Sequence, residues 1–320
     1  TGYNHAVTIA RSKNITGPYE VHPENPILTA KDDPDNPLQK AGHGDLVETS
    51  TGEWYLVHLC SRPLTKRGNC NLGRETAIQK IIWKNDWPYL DKDNNTPEVQ
   101  VAPPDLPEVT WSAEPEKDDF DNNKLNIHFQ TLRIPLSEDM MSLKERQGYL
   151  RLKGKESLSS LHSQSLVARR QQSFYYTAET CLEFEPDNFK QMAGLVCYYN
   201  TSMYYYLYIS YNEESGKFLN LITCDNKKFE EPLSEVINLT DVDRVYLQVQ
   251  VDYDKLQFYY SQDGKEWIVI GPVLDAGKLS DDYVEGHAFT GAFVGMCCQD
   301  LSGQSKPADF DYFVYKERDE

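Results

Sequence analysis

Paired cysteine spacing is missing from this sequence, and so is any long apolar run. The seven cysteines include no CxxC pair: Cys60 and Cys70 have nine residues between them, and Cys297 and Cys298 are adjacent. Such spacing does not fit the paired-ligand pattern of structural zinc sites. Cys181 and Cys197 fall inside strand-like runs, where a free thiol behaves as a small hydrophobe, so a reducing, cytoplasmic setting is expected. No stretch approaches the ~18 apolar residues of a membrane span. Basic charge is also short, with 32 Lys and Arg against 50 Asp and Glu and a formal charge of −18. That balance repels phosphate backbones, and nucleic acid is not an expected partner. No GxSxG, HExxH, P-loop or GxGxxG fingerprint occurs. The opening "TGYNHAVTIARS" has neither the basic n-region nor the apolar core of a signal peptide, and reads as a sequence that starts inside a longer polypeptide.

What is present favours strands. Against 5 Met stand 21 Tyr and 12 Phe, and aromatic residues suit a pleated, half-buried surface. The 320 residues allow two domains. Residues 1–105 hold short apolar runs broken by turn chemistry. "GDLVETSTGEWYLVHLC" reads as a hairpin across Ser50-Thr51-Gly52, and "RETAIQKIIWKNDWPYL" as another turning at Asn85-Asp86. At ~40–45 residues per four-stranded blade, this segment has room for about two propeller blades. Two blades cannot close a ring, so something must complete them. Residues 97–117 are proline-rich and mark the boundary. From 106 to 320 the pattern is a linker and longer strands: "RVYLQVQVDY" alternates with Leu247, Val249 and Val251 on one face. About ten strands make a jelly-roll-like β-sandwich. The one expected helix is "SEDMMSLKERQ", 137–147. "DDFDNN" at 118–123 is oxygen-rich but lacks the EF-hand Gly and Glu, and reads as a solvated turn rather than a calcium site.

Seven blocks, in order, carry a resemblance: "YNHAVTIARS", "GPYEVHPENPILT", "NPLQKAGHGDLVET", "WYLVHLCSRP", "LGRETAIQKIIW", "DDFDNNKLNIHFQTLRIP" and "AFTGAFVGM". Together, from Tyr3 to Tyr315, they resemble the β-xylosidases of glycoside hydrolase family 43. The resemblance implies a five-bladed propeller, here its last blades, followed by a concanavalin-like sandwich. It implies exo-acting, inverting hydrolysis of xylo-oligosaccharides from the non-reducing end, with α-L-arabinofuranosidase side activity. Inversion takes one carboxylic acid and one carboxylate ~6.5–9.5 Å apart, and a third carboxylate tunes the acid in this family. None of the acids here occupies a matching block, so all three are expected on an upstream propeller fragment that completes this one.

On the same basis Arg74, in "LGRETA", matches the arginine that reaches the substrate; read without the family it would be a surface partner of Glu75. His43, in "AGHGD", matches the histidine on the propeller axis, where it would donate to a catalytic carboxylate or ligate a hydrated cation such as Ca2+; the bland alternative is a satisfied core histidine. The chemistry requires no metal. Phe293 is expected in a sandwich loop that folds back as an apolar cap, with Phe289 the alternative, and Asn4 and His5 on the rim. Trp54, Trp83 and Trp111 are expected in the core rather than against sugar. A homo-oligomer is expected. Other readings are a non-catalytic carbohydrate-binding protein and a purely structural fragment.

Overall fold

The computed structural model describes residues 2–286 and 289–319. The described chain is all-β; its one helical turn is the 3-10 segment Ala276–Lys278. Among the described residues no helix is long and apolar enough to cross a membrane. Two compact units divide at Ala113/Glu114, inside the proline-rich stretch and eight residues past the boundary expected from sequence.

The first unit is built around a four-stranded antiparallel blade. Its strands, in order, are Gln39–Glu48, Trp54–Ser61, Glu75–Lys84 and Trp87–Leu90. Ahead of the blade, two short ribbons pair Ala6–Val7 with Leu28–Thr29 and Ala10–Arg11 with Glu20–Val21. The Asn85-Asp86 turn takes positive φ at both residues (54° and 60°), the pairing a two-residue hairpin with right-handed strand twist demands. One blade face is sealed by Leu56, Ile81, Leu90 and Ala41 against Ile27, Leu28 and Ala30. Trp54 and Trp83 meet edge-to-face at 5.2 Å, but Trp83 is 44% exposed. Trp111 is 88% exposed in the linker, contrary to the expected core position, because the linker offers no strand to pack it.

The second unit is a sandwich of two eight-stranded sheets. Leu247, Val249 and Val251 face the shared core with Tyr176, Ala178 and Phe258. The run "MYYYLYIS" in Met203–Asn212 shows no polar alternation because both of its faces are covered. Tyr205, Leu207 and Ile209 enter the main core, while Tyr204, Tyr206 and Tyr208 enter a second cluster on the other face. Cys297 and Cys298 split the same way, one to each cluster, as adjacent residues of a strand must. All seven cysteines are buried and free.

The helix expected over 137–147 does not form. Met140 is buried, and Met141–Ser142 pairs with Leu150–Lys153 as a short edge strand. Ser142 Oγ then accepts from the backbone amides of Lys144 and Glu145. A serine that satisfies local backbone donors competes with the helical ladder.

Candidate functional site

The stretch "QKAGHGD" folds as a strand that twice breaks register. Gln39 stands opposite Ser61, Gly42 opposite Leu59 and Gly44 opposite His58, with shifts between 39 and 42 and again between 42 and 44. At each break a non-glycine residue adopts left-handed backbone: Lys40 at φ 54° and His43 at φ 51°. Bulges re-aim side chains, and such strain is held only where surrounding structure over-determines it. Within this chain His43 is exposed.

The two glycines have separate reasons. A Cβ on Gly42 would lie 2.6 Å from the His5 ring, and one on Gly44 would lie 2.8 Å from Leu56 Cδ1. His5 therefore rests on the Gly42 backbone, with its Nδ1–H donating to the Lys40 carbonyl (3.0 Å). Asn4 is exposed beside it. Of the expected rim residues, His5 is thus brought against the backbone of the residue before His43.

Arg74 immediately precedes the third blade strand. Thr76 and Gly42 flank Leu59 from opposite sides, two strand spacings or about 10 Å apart, and Glu75 stands opposite Cys60 as Gln39 stands opposite Ser61, so the strands that carry His43 and follow Arg74 start at the same end of the blade. Glu75 is held by Arg62, whose Nε lies 3.1 and 3.0 Å from the two carboxylate oxygens and whose Nη2 lies 2.8 Å from Oε1. Glu75 is thus taken up by Arg62, thirteen residues before it in the chain. Neighbouring strand residues point to opposite faces, which leaves the half-buried Arg74 on the other side.

Polar groups that sequence reasoning missed crowd this end. Lys40 is 1% exposed, with its ammonium 5.1 Å from the centre of the Tyr3 ring. Tyr3 in turn donates to the Gly68 carbonyl at 2.7 Å. His58 and Asn71 are buried as well. His58 Nδ1 donates to Leu59 O, while His58 Nε2 and both Asn71 amide atoms make no hydrogen bond among the described residues. In sequence Lys40 and Asn71 look like surface residues; only their burial marks them. Burial pulls the His58 pKa below the ordinary 6.5 and pushes the Cys60 thiol up to about 12, so Cys60 is no nucleophile.

A general acid for glycoside cleavage needs a raised carboxyl pKa. Among the described residues, every carboxyl group with a resolved shift moves the other way. Asp309 is an example: burial raises it, and Arg151 and Arg146 outweigh that.

In the sandwich, Phe293 is not in a loop. It opens the strand Phe293–Asp300, opposite Arg170 and Tyr198, half-buried against the second cluster, because its register pairs it on both sides. Phe289, 46% exposed, is the ring that lies outside a strand. In "DDFDNN", Asp118 Oδ1 caps the Phe120 amide and Phe120 is buried, a structural turn. Among the described residues no group of three or more His, Cys, Asp or Glu is placed to hold a metal ion.

This blade-plus-sandwich architecture, with its bulged histidine and strand-edge arginine, has close relatives. Residues 117–316 match the β-xylosidase C-terminal concanavalin A-like domain, and residues 1–88 match glycosyl hydrolases family 43. The chain belongs to glycoside hydrolase family 43. It is 51% identical to a β-xylosidase of Bacillus subtilis over 99% of this chain and 62% of that protein. A non-reducing end α-L-arabinofuranosidase of Bacteroides ovatus is 34% identical, over 99% of this chain and 58% of the relative. The crystal structure of a xylan β-1,4-xylosidase from Bacillus halodurans superimposes with a TM-score of 0.96 at 50% identity, covering 99% of this chain and 61% of that one. The chain thus spans about 62% of the length of the Bacillus subtilis relative and corresponds to the C-terminal part of such proteins.

Proposed function

We propose that this chain is the substrate-holding part of an exo-acting, inverting β-xylosidase. The observation that carries the reading is the double bulge that presents His43 in left-handed backbone at the blade end shared with Arg74. His43 takes this conformation inside a strand, where no turn asks for it. Arg74 offers a planar fork of donors to vicinal sugar hydroxyls and lowers the pKa of any carboxyl group beside it. His43 donates to a catalytic carboxylate and fixes its orientation. The acid, the base and the carboxylate that tunes the acid come from residues outside this chain, on the propeller blades its relatives carry in addition. The reaction needs two carboxylates and a water, and no metal ion. Turnover of α-L-arabinofuranosides as a lesser activity is supported by the Bacteroides ovatus relative's name.

The test is release of nitrophenol from nitrophenyl β-D-xyloside, by this chain alone and by a protein completed with the upstream blades. The completed protein is expected to be active, with a product of inverted anomeric configuration by NMR, and the chain alone inert. Turnover by the chain alone would show that its own carboxylates suffice. Inactivity of the completed protein would remove the enzymatic reading.

A further inference from the structure

At one edge of the sandwich both sheets stop together and leave a cleft between them. The terminal strands are Lys228–Glu230 of one sheet and Ile268–Asp275 of the other. The cleft has a volume of about 640 Å³, within the ~300–1,000 Å³ common for ligand sites. Its floor is a hydrogen-bonded polar cluster. Asp225 accepts from the Lys278 ammonium at 2.7 Å and from the Tyr283 hydroxyl at 3.0 Å to each carboxylate oxygen. Lys278 also stands 5.4 Å from the Tyr283 ring centre.

The rim is different. Lys228 and Glu230 line the cleft two residues apart on one strand, and so on one face. Both are exposed, and neither side chain has an ion-pair or hydrogen-bond partner among the described residues. Val273, 60% exposed, supplies an apolar wall opposite. A donor and an acceptor of opposite charge, unpaired with each other and set beside an apolar wall, suit a neutral ligand with alternating hydroxyls and C–H faces. A strongly charged ligand would meet one repulsive partner. We propose that this edge cleft binds a neutral, xylan-type sugar chain, with Lys228 donating to and Glu230 accepting from its hydroxyls over the Asp225–Lys278–Tyr283 floor. The choice of sugar rests on the function proposed above; the site itself does not.

Affinity electrophoresis of the full chain in gels containing soluble arabinoxylan tests this. Retardation relative to a polysaccharide-free gel is expected. The double variant Lys228→Ala/Glu230→Ala, at exposed and unpaired positions that leave the fold intact, should weaken apparent affinity at least fivefold. Tyr283→Phe should weaken it less, and Arg74→Ala should leave the retardation in place. Absence of retardation in the unaltered chain, or full retardation of the double variant, overturns the proposal, as does its loss in Arg74→Ala alone. Xyloside turnover by the completed protein should be unchanged in the double variant. If turnover is absent while the retardation pattern holds, the enzymatic reading fails and this site stands. If turnover is present without retardation, the reverse holds.

Discussion

His43 and Arg74 show how a single position can be spent on function against the preference of its backbone. A non-glycine residue in left-handed conformation gives up roughly 1–2 kcal/mol, less for histidine than for branched residues. Replacing His43 by glycine should therefore keep or raise stability, by up to about 1 kcal/mol in denaturant titration, while turnover of the completed enzyme falls at least tenfold. A variant that loses stability instead would show that the side chain has a packing role. Arg74→Ala should likewise cut turnover of the completed enzyme at least tenfold, about 1.4 kcal/mol of transition-state stabilisation. An unchanged rate with unchanged KM would take Arg74 out of the site.

At the scale of the element, the blade carries a titration built into its second strand. His58 is buried and neutral, and burial holds its pKa below 6.5, with the Leu59 carbonyl only partly offsetting that. His22 is shifted in the same direction, burial again the main cause, and its Nδ1 accepts from the Glu24 amide. A depressed folded-state pKa on a base means that the unfolded chain takes up protons the folded one refuses. The stabilisation is complete above pH ~6.5 and is lost as pH falls from there through the folded-state values. Denaturant midpoints should decline between pH 7 and 5, and His58→Gln should shallow that decline. A midpoint flat across this range would mean that both imidazoles find water on protonation.

For the whole molecule, the two units differ in how completely their strands are enclosed. Met203–Asn212 is buried on both faces between two clusters, whereas the blade seals one face and leaves Val47, Ile78 and Trp83 exposed. Local stability follows burial and contact density. Hydrogen exchange should therefore be at least tenfold faster in Trp54–Ser61 and Glu75–Lys84 than in Gln191–Asn200 and Met203–Asn212. Equal protection would show that the blade needs nothing more to be stable.

The strands, hairpin turns and sandwich core were legible because they rest on local chemistry. Alternation placed Leu247, Val249 and Val251 on one face, Asn85-Asp86 closed a hairpin, and seven ordered blocks carried the family. The 137–147 segment misled because Met140 and Met141 fit a helical stripe as well as a strand edge, and pairing with Leu150–Lys153 decided between them. Phe293 misled because a strand's first residue looks like a loop's last until its partners are known. By itself the sequence determined an all-β chain of family 43 and the candidate pair His43 and Arg74. Only the tertiary structure decided that Glu75 belongs to Arg62, that Lys40 and Asn71 are buried, and that the Gly42 backbone is where His5 rests. These are contacts between residues far apart in the chain, and short-range periodicity carries no record of which distant side chain arrives to satisfy a charge or to forbid a Cβ.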